Sequence, residues 1–341
     1  MKIGLAPMAG FTDWPMRVVA HRFGAAYCHT EMVNARAVGD GAAASLRLLD
    51  VMEGEGPAVA HLYGSVPEEF GRAAEAVTRM GLFAGIDINC GCPAPKVAQC
   101  GGGAVLMRTP RLIEDIVRAV VKNTSLPVTV KTRLGFNGES SAVFEIVRRV
   151  ANAGAASVCV HARYVEQFHT GTVHYDVLER LVKESPVPIV GNGGIKDGET
   201  ARRMRECGVT GMLVGWNAVG NPWIFQKILG VQEFRSSGVQ NGNWRVPTVA
   251  EVREVLMEHI ALCLRHKTIL EERYPGTLRV SPEEAVVLDF RCQLFRYLNG
   301  IRGVSTLRGR LHGMTTLDQI VSVINEILAR EFDYRQKVGR S

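Results

Sequence analysis

Eight short apolar runs alternate with amphipathic segments between residues 3 and 215, and this alternation limits the fold more than any other feature. The runs are Ile3–Met8, Ala26–Met32, Ala58–Tyr63, Ile86–Asn89, Val128–Arg133, Ser157–Arg163, Ile189–Asn192 and Met212–Gly215. Helical periodicity fills most of the gaps, as in Glu68–Met80, Arg111–Asn123, Ser141–Ala153 and Glu199–Cys207. Strand–helix repeats call for parallel pairing, and eight of them predict a closed α/β barrel rather than an open sheet. A doubly wound dinucleotide fold would need Gly-x-Gly-x-x-Gly after its first strand. The chain reads Leu5-Ala6-Pro7-Met8-Ala9-Gly10 there instead.

Beyond residue 231 the strand pattern stops. Ser236-Ser237-Gly238 and Asn241-Gly242-Asn243 read as a linker over 231–247. Helical periodicity then occupies Val249–Leu270, Pro282–Leu298 and Leu317–Ala329. Thr248 with Glu251 outlines a capping box, and Ser281-Pro282-Glu283-Glu284 marks a helix start. The fold expected is α/β, a parallel (β/α)8 barrel over 1–240, followed by a small all-α domain over 248–332 and a flexible tail over 333–341.

The net charge is +6, and it is unevenly placed. Residues 291–341 hold nine Lys or Arg against four Asp or Glu, so the basic excess lies at this end. That is the footprint of an anionic partner or of a solvated basic tail; charge alone leaves both open. The eight cysteines are scattered, and Cys90, Cys92 and Cys100 lack the second pair of Cys or His that a zinc site needs. No metal is expected. No apolar run reaches the ~18 residues of a membrane span, and no secretory signal is read. A cytoplasmic protein with reduced thiols, without a membrane partner and monomeric, is the expectation.

The C-terminal ends of barrel strands share one face, where active sites sit. Met8, Glu31, His61, Asn89, Lys131 with Arg133, His161 with Arg163, Asn192 and Gly215 all fall there. Lys131 and Arg133 point to one side of their strand, and two cations inside a barrel need anions. Glu31 or Asp87 could pair with them, or a bound anion could. Gly191-Asn192-Gly193-Gly194 and Val214-Gly215-Trp216 each lead toward a helix, an arrangement suited to a phosphate, although tight turns alone would also use glycine.

Asn89-Cys90-Gly91-Cys92-Pro93, followed by Lys96 and Gly101-Gly102-Gly103, resembles the signature of the tRNA-dihydrouridine synthases. The opening Pro7-Met8-Ala9, Lys131, His161 and the glycine turns extend that resemblance from about residue 3 to residue 330. It implies FMN bound in the barrel and NADPH as electron donor. Pro7, Met8 and Ala9 would back the flavin, and Lys131 and His161 would contact it. Asn192, Gly193, Gly194, Gly215 and Trp216 would cradle its phosphate, and His61 would stand where the family has Gln. Ala162 replaces a usual Gly and Trp216 a usual Arg. Asn89 would hold the uracil edge, with Arg133 on flavin phosphate or uracil and Arg163 beside the substrate. Cys92 matches the catalytic cysteine. Hydride transfer to uracil C6 leaves negative charge toward C5, which a thiol can protonate as general acid. The basic helical end would grip tRNA through Arg291, Arg296, Arg302, Arg308 and Arg310, since a uridine inside tRNA must be extruded to reach a flavin. Competing readings are a flavin barrel acting on a free pyrimidine, an RNA-binding barrel without chemistry, and a phosphate-binding isomerase or aldolase.

Overall fold

Side chains that alternate every second residue need a sheet, and here they close into one. The strands are β1 (Lys2–Leu5), β2 (Cys28–Asn34), β3 (Ala58–Tyr63), β4 (Gly85–Cys90), β5 (Val128–Arg133), β6 (Ser157–His161), β7 (Ile189–Asn192) and β8 (Gly211–Val214). All pair in parallel in chain order, and β8 returns to β1. The computed structural model describes residues 1–52, 54–230, 245–311 and 313–337. Three strands stop earlier than the apolar runs: β1 ends before Pro7, which has no N–H to give, β6 ends at His161, and β8 ends at Val214. β2 carries a register shift between His29 and Met32, which sets Glu31 in an irregular stretch.

The helices that cover the sheet bury one stripe each. Phe70, Ala73, Ala74 and Val77 line that stripe in Pro67–Met80, Ile113, Ile116, Val117 and Val120 in Pro110–Lys122, and Val143, Ile146, Val147 and Val150 in Ser141–Asn152. This i, i+3, i+4, i+7 spacing is what places each helix flat on the strands. Pro67 and Pro110 sit at the first turn, where a missing N–H costs nothing, and Gly81 ends its helix in the left-handed conformation.

Contacts divide the chain into Met1–Trp216 and Asn217–Ser341. Helix Ile224–Leu229, expected within a barrel domain reaching 240, therefore belongs to the second unit. The reason lies in its packing: Trp223 meets Tyr297 edge-on, and a side chain at Gly220 would strike the backbone of Gln293 and Tyr297. The second unit also contains Val249–Arg273, Pro282–Tyr297 and Leu317–Lys337, with the Thr248–Glu251 capping box and the Ser281 cap in place. Leu256, Val287, Leu294 and Ile324 are buried among these helices, and Tyr297 Oη lies 2.9 Å from His259 Nδ1. The last helix runs to Lys337, so the tail expected from 333 is helical through that residue. The linker expected over 231–247 lies outside the described residues as far as 244.

The barrel core is apolar at one level, with Ala6, Cys159 and Leu213 packed beside Tyr27 and Val190. Across β2 to β5 it is polar. Asp87 is fully buried, accepts a hydrogen bond from His61 Nδ1 at 2.7 Å and another from Thr129 Oγ1, and has His29 Nε2 at 3.7 Å. His29 Nδ1 donates to the Leu5 carbonyl at 3.0 Å, which leaves Nε2 toward the carboxylate. Burial pushes Asp87 up, but the hydrogen bond and charge of His61, the charge of His29 and the Thr129 bond outweigh it and hold the carboxyl below its usual range. Burial dominates at His29 and lowers it to about 4; Asp87 opposes this, while His61 and Lys131 add to it.

This gives a pH dependence with a defined sign. Unfolded His29 takes a proton near pH 6.5, whereas folded His29 resists until about pH 4. Its share of stability is therefore lost as pH falls from 6.5 toward 4, by about 3 kcal/mol in all. In urea unfolding at pH 7 and pH 4, His29→Gln should show a smaller acid loss than the wild type by about that amount. Equal losses would mean that His29 does not titrate across this window.

Candidate active site

Asn89 builds the loop that presents Cys92. The side chain of Asn89 lies inside the barrel, and its Oδ1 accepts the N–H groups of Gly91 (3.1 Å) and Cys92 (3.0 Å). Its amide nitrogen has the Met32 thioether at 3.6 Å, a weak acceptor. The Cys92 carbonyl accepts from Ala104 N at 2.9 Å, and a Cβ on Gly103 (φ +62°) would meet that carbonyl at 2.4 Å. Gly102 is as confined, with a built Cβ 2.8 Å from the Gly64 carbonyl. The glycine run thus lets the chain fold back onto the cysteine, and Cys92 is fixed at both ends while remaining half-buried. Cys90 faces away and is fully buried, which drives its thiol upward; Cys100 is exposed. Among the described residues no three His, Cys, Asp or Glu gather as a metal site.

Register explains the cations. β4 pairs Asn89 with Lys131, β5 pairs Arg133 with His161, and β6 pairs His161 with Asn192, so these residues form one inward-facing set at the rim. Lys131 Nζ donates to Asn192 Oδ1 at 3.1 Å, and Asn192 is oriented by donating Nδ2 to the Leu213 carbonyl at 2.8 Å. Arg133 gives Nε to the Gly91 carbonyl (3.0 Å) and Nη1 to the carbonyls of Phe168 (2.7 Å) and Tyr164 (3.3 Å). Arg163 reaches the Gly171 carbonyl at 3.1 Å and lies with Nη1 3.4 Å from His161 Nε2. A guanidinium only donates, so that imidazole nitrogen accepts. Among the described residues none of Lys131, Arg133 and Arg163 forms an ion pair with a carboxylate, so neither Glu31 nor Asp87 is their salt-bridge partner.

Electrostatics follow from this crowding. Desolvation lowers Lys131, with Arg133 adding to the shift and Cys159 and Asp87 opposing it. Desolvation takes Arg133 to about 10. His161 is held well below its ordinary value by burial and then by Arg133, Lys131 and Arg163, so it is neutral at pH 7. Three partly or fully buried cations this close together and short of carboxylates are suited to an anion.

The remaining expected residues have different surroundings. Pro7 and Met8 are half-buried, Ala9 is exposed, and the Met8 carbonyl closes a turn by accepting Phe11 and Thr12 N–H. Gly193 and Gly194 have φ of +103° and +72°; a Cβ on Gly193 would lie 2.4 Å from the His161 ring, so that glycine lets imidazole and turn pack together. Gly215 is unlike them: its built Cβ makes only ordinary contacts with Ala6 and the Met8 sulfur. Trp216 is 46% exposed and stands edge-on to Phe11. His61 lies one residue pair below Asn89, in register with Asp87, to which its Nδ1 is committed. The sequence reading missed the His29–Asp87–Thr129 set as a unit and the use of Arg133 as a loop fastener. The two-residue spacing of Asp87 and Asn89 was the available signal for the first. The second depends on loop carbonyls that no side-chain pattern reports.

The basic end is less free than its composition implied. Arg310 pairs with Glu326, Arg302 stacks over Tyr334, and Arg291 donates to the Met314 carbonyl. Phe290 and Tyr297 are core residues. No helix among the described residues is long and apolar enough to cross a membrane.

Comparison with known proteins identifies relatives of the chain. A tRNA-dihydrouridine synthase B of Shewanella oneidensis is 36% identical over 259 residues, covering 75% of this chain and 78% of that one. A probable tRNA-dihydrouridine synthase of Mycobacterium tuberculosis is 30% identical over 335 residues, covering 95% and 81%. Among solved structures, morphinone reductase aligns with a TM-score of 0.50 at 12% identity over 72% of this chain and 92% of its own, a likeness of fold. The dihydrouridine synthase family model matches residues 4–332, and the chain belongs to that family.

Proposed function

We propose that this protein reduces uridines in tRNA to 5,6-dihydrouridine, with FMN bound at the rim and NADPH as the source of electrons. The observation that carries the reading is the convergence of Lys131, Arg133 and Arg163, without a carboxylate partner, beside the fixed loop of Cys92. An anionic cofactor and an anionic substrate both answer that charge. The residues fit FMN: Lys131 for the electron-rich edge of the ring, neutral His161 and Asn192 beside it, and Pro7, Met8 and Ala9 behind it. Gly193, Gly194, Gly215 and Trp216 would supply the phosphate turns, and His61, with Nδ1 committed to Asp87, would have only Nε2 to offer the cofactor. When bound, the reduced flavin would supply hydride to uracil C6.

The chain's own work is then positioning and proton delivery. Cys92 gives its thiol proton to C5. Asn89, whose carbonyl holds the Cys92 loop, offers its amide N–H groups to the uracil carbonyl edge. Arg133 and Arg163 neutralise charge at substrate and phosphate. The C-terminal helices carry the tRNA body. A free pyrimidine would need no such basic end, which favours the tRNA reading over a small-molecule reductase.

Three outcomes are expected. The purified protein should release FMN, and not FAD, on denaturation, and Lys131→Met should lower its flavin occupancy or slow its reduction by NADPH. A colourless protein that cannot be reconstituted with FMN would overturn the reading. Cys92→Ala should retain flavin and its reduction by NADPH, yet reoxidise with unmodified tRNA about 10²–10⁴-fold more slowly in anaerobic stopped flow. Wild-type reoxidation rates in that variant would remove Cys92 as the proton donor. Affinity for tRNA should fall about tenfold or more between 50 and 200 mM salt, because neutralised phosphates release counterions. A flat salt response would argue against phosphate gripping.

A further inference from the structure

Phe168 combines two features that a loop residue of this size normally avoids. Its backbone has φ +50°, a region that favours glycine, and the residue is 58% exposed. The loop does not need the ring to hold its shape. Gln167 ties it together, accepting Tyr164 N at 2.8 Å and donating to the Thr172 carbonyl at 3.1 Å. Arg133 fastens it from inside the barrel through the Phe168 carbonyl, with the same guanidinium on the Gly91 carbonyl next to Cys92. A strained residue held at a fixed point, with an apolar ring turned to water, indicates a binding role.

The charge around it identifies the partner. Arg133 and Arg163 flank this loop without carboxylate partners, and His169, next in the chain, stacks on His161 with ring centroids 6.0 Å apart. An aromatic face beside cations is the arrangement that binds unstacked nucleic acid, with phosphate on the charge and base on the ring. We propose that Phe168 is a stacking platform for a nucleobase of tRNA adjacent to the extruded uridine, a substrate-positioning residue that rests on the function proposed above. Extrusion breaks the stack on both sides of the uridine, and Phe168 restores one of the lost faces.

The test is dihydrouridine formation by the intact protein on an unmodified tRNA transcript, with filter binding of the same transcript. Phe168→Gly keeps the positive φ without strain and removes the ring, Phe168→Leu keeps apolar bulk, and Phe168→Trp keeps an aromatic face. KM and Kd for tRNA should rise about tenfold in the Gly and Leu variants, with kcat within about twofold of wild type, while Trp stays within about twofold in all three. Unchanged KM and Kd in the Gly variant would overturn the proposal. So would failure of Trp alongside Leu, a loss confined to kcat, or a sharp fall in the melting temperature of the Gly variant, which would make the ring structural. If the wild type forms no dihydrouridine, the proposed activity fails on its own. The Kd comparison then still decides whether Phe168 contacts the RNA.

Discussion

Asp87 carries a negative charge in the middle of the barrel, where no bulk water solvates it, and the polar interior is arranged around keeping it there. His61, Thr129 and His29 each turn toward its oxygens, and their combined effect outweighs the cost of burial. The same charge favours protonation of Lys131 on the neighbouring strand, which desolvation and Arg133 oppose. In a low-dielectric interior such attractions act over several ångströms and cannot be replaced by solvent. The carboxylate therefore offsets a small part of the cost of burying Lys131, while Arg133 and Arg163 lie beyond its reach.

The fold was legible because two periodicities are hard to disguise. The two-residue step of Lys131 and Arg133 and the i, i+3, i+4, i+7 stripes of the covering helices place those residues before any coordinates are known. The division of the chain at Trp216 was less visible, since helix Ile224–Leu229 follows β8 as any barrel helix would. Its allegiance is set by Trp223 and Gly220 against Tyr297, contacts more than 70 residues apart. Asn89, Lys131, Arg133, His161 and Asn192 fall at strand ends and so could be placed on one rim from the sequence, but their bonding was not readable. Asn89 spends its carbonyl on backbone N–H groups, and Arg133 spends its donors on backbone carbonyls. Sequence patterns report side chains, and these partners are all main chain.

The glycines illustrate the same limit. Gly103 and Gly215 look alike in a sequence, each beside a functional loop. In space one is compelled, because a Cβ there would strike the Cys92 carbonyl, while the other has room for a methyl group. Close approach of backbone to backbone gives Gly103 its meaning, and only the folded chain reveals it.

Arg133 has a mechanical consequence as well as an electrostatic one. A guanidinium is a rigid plane, and its nitrogens grip the Gly91 carbonyl on one side and the Tyr164 and Phe168 carbonyls on the other. Two loops separated by more than 70 residues are thereby joined as a crank joins two shafts. Thermal displacement of either loop is handed to the other through one plate a few ångströms wide. Moving the tip of the β6 loop without moving the cysteine loop therefore means breaking one side of that plate's hydrogen bonds.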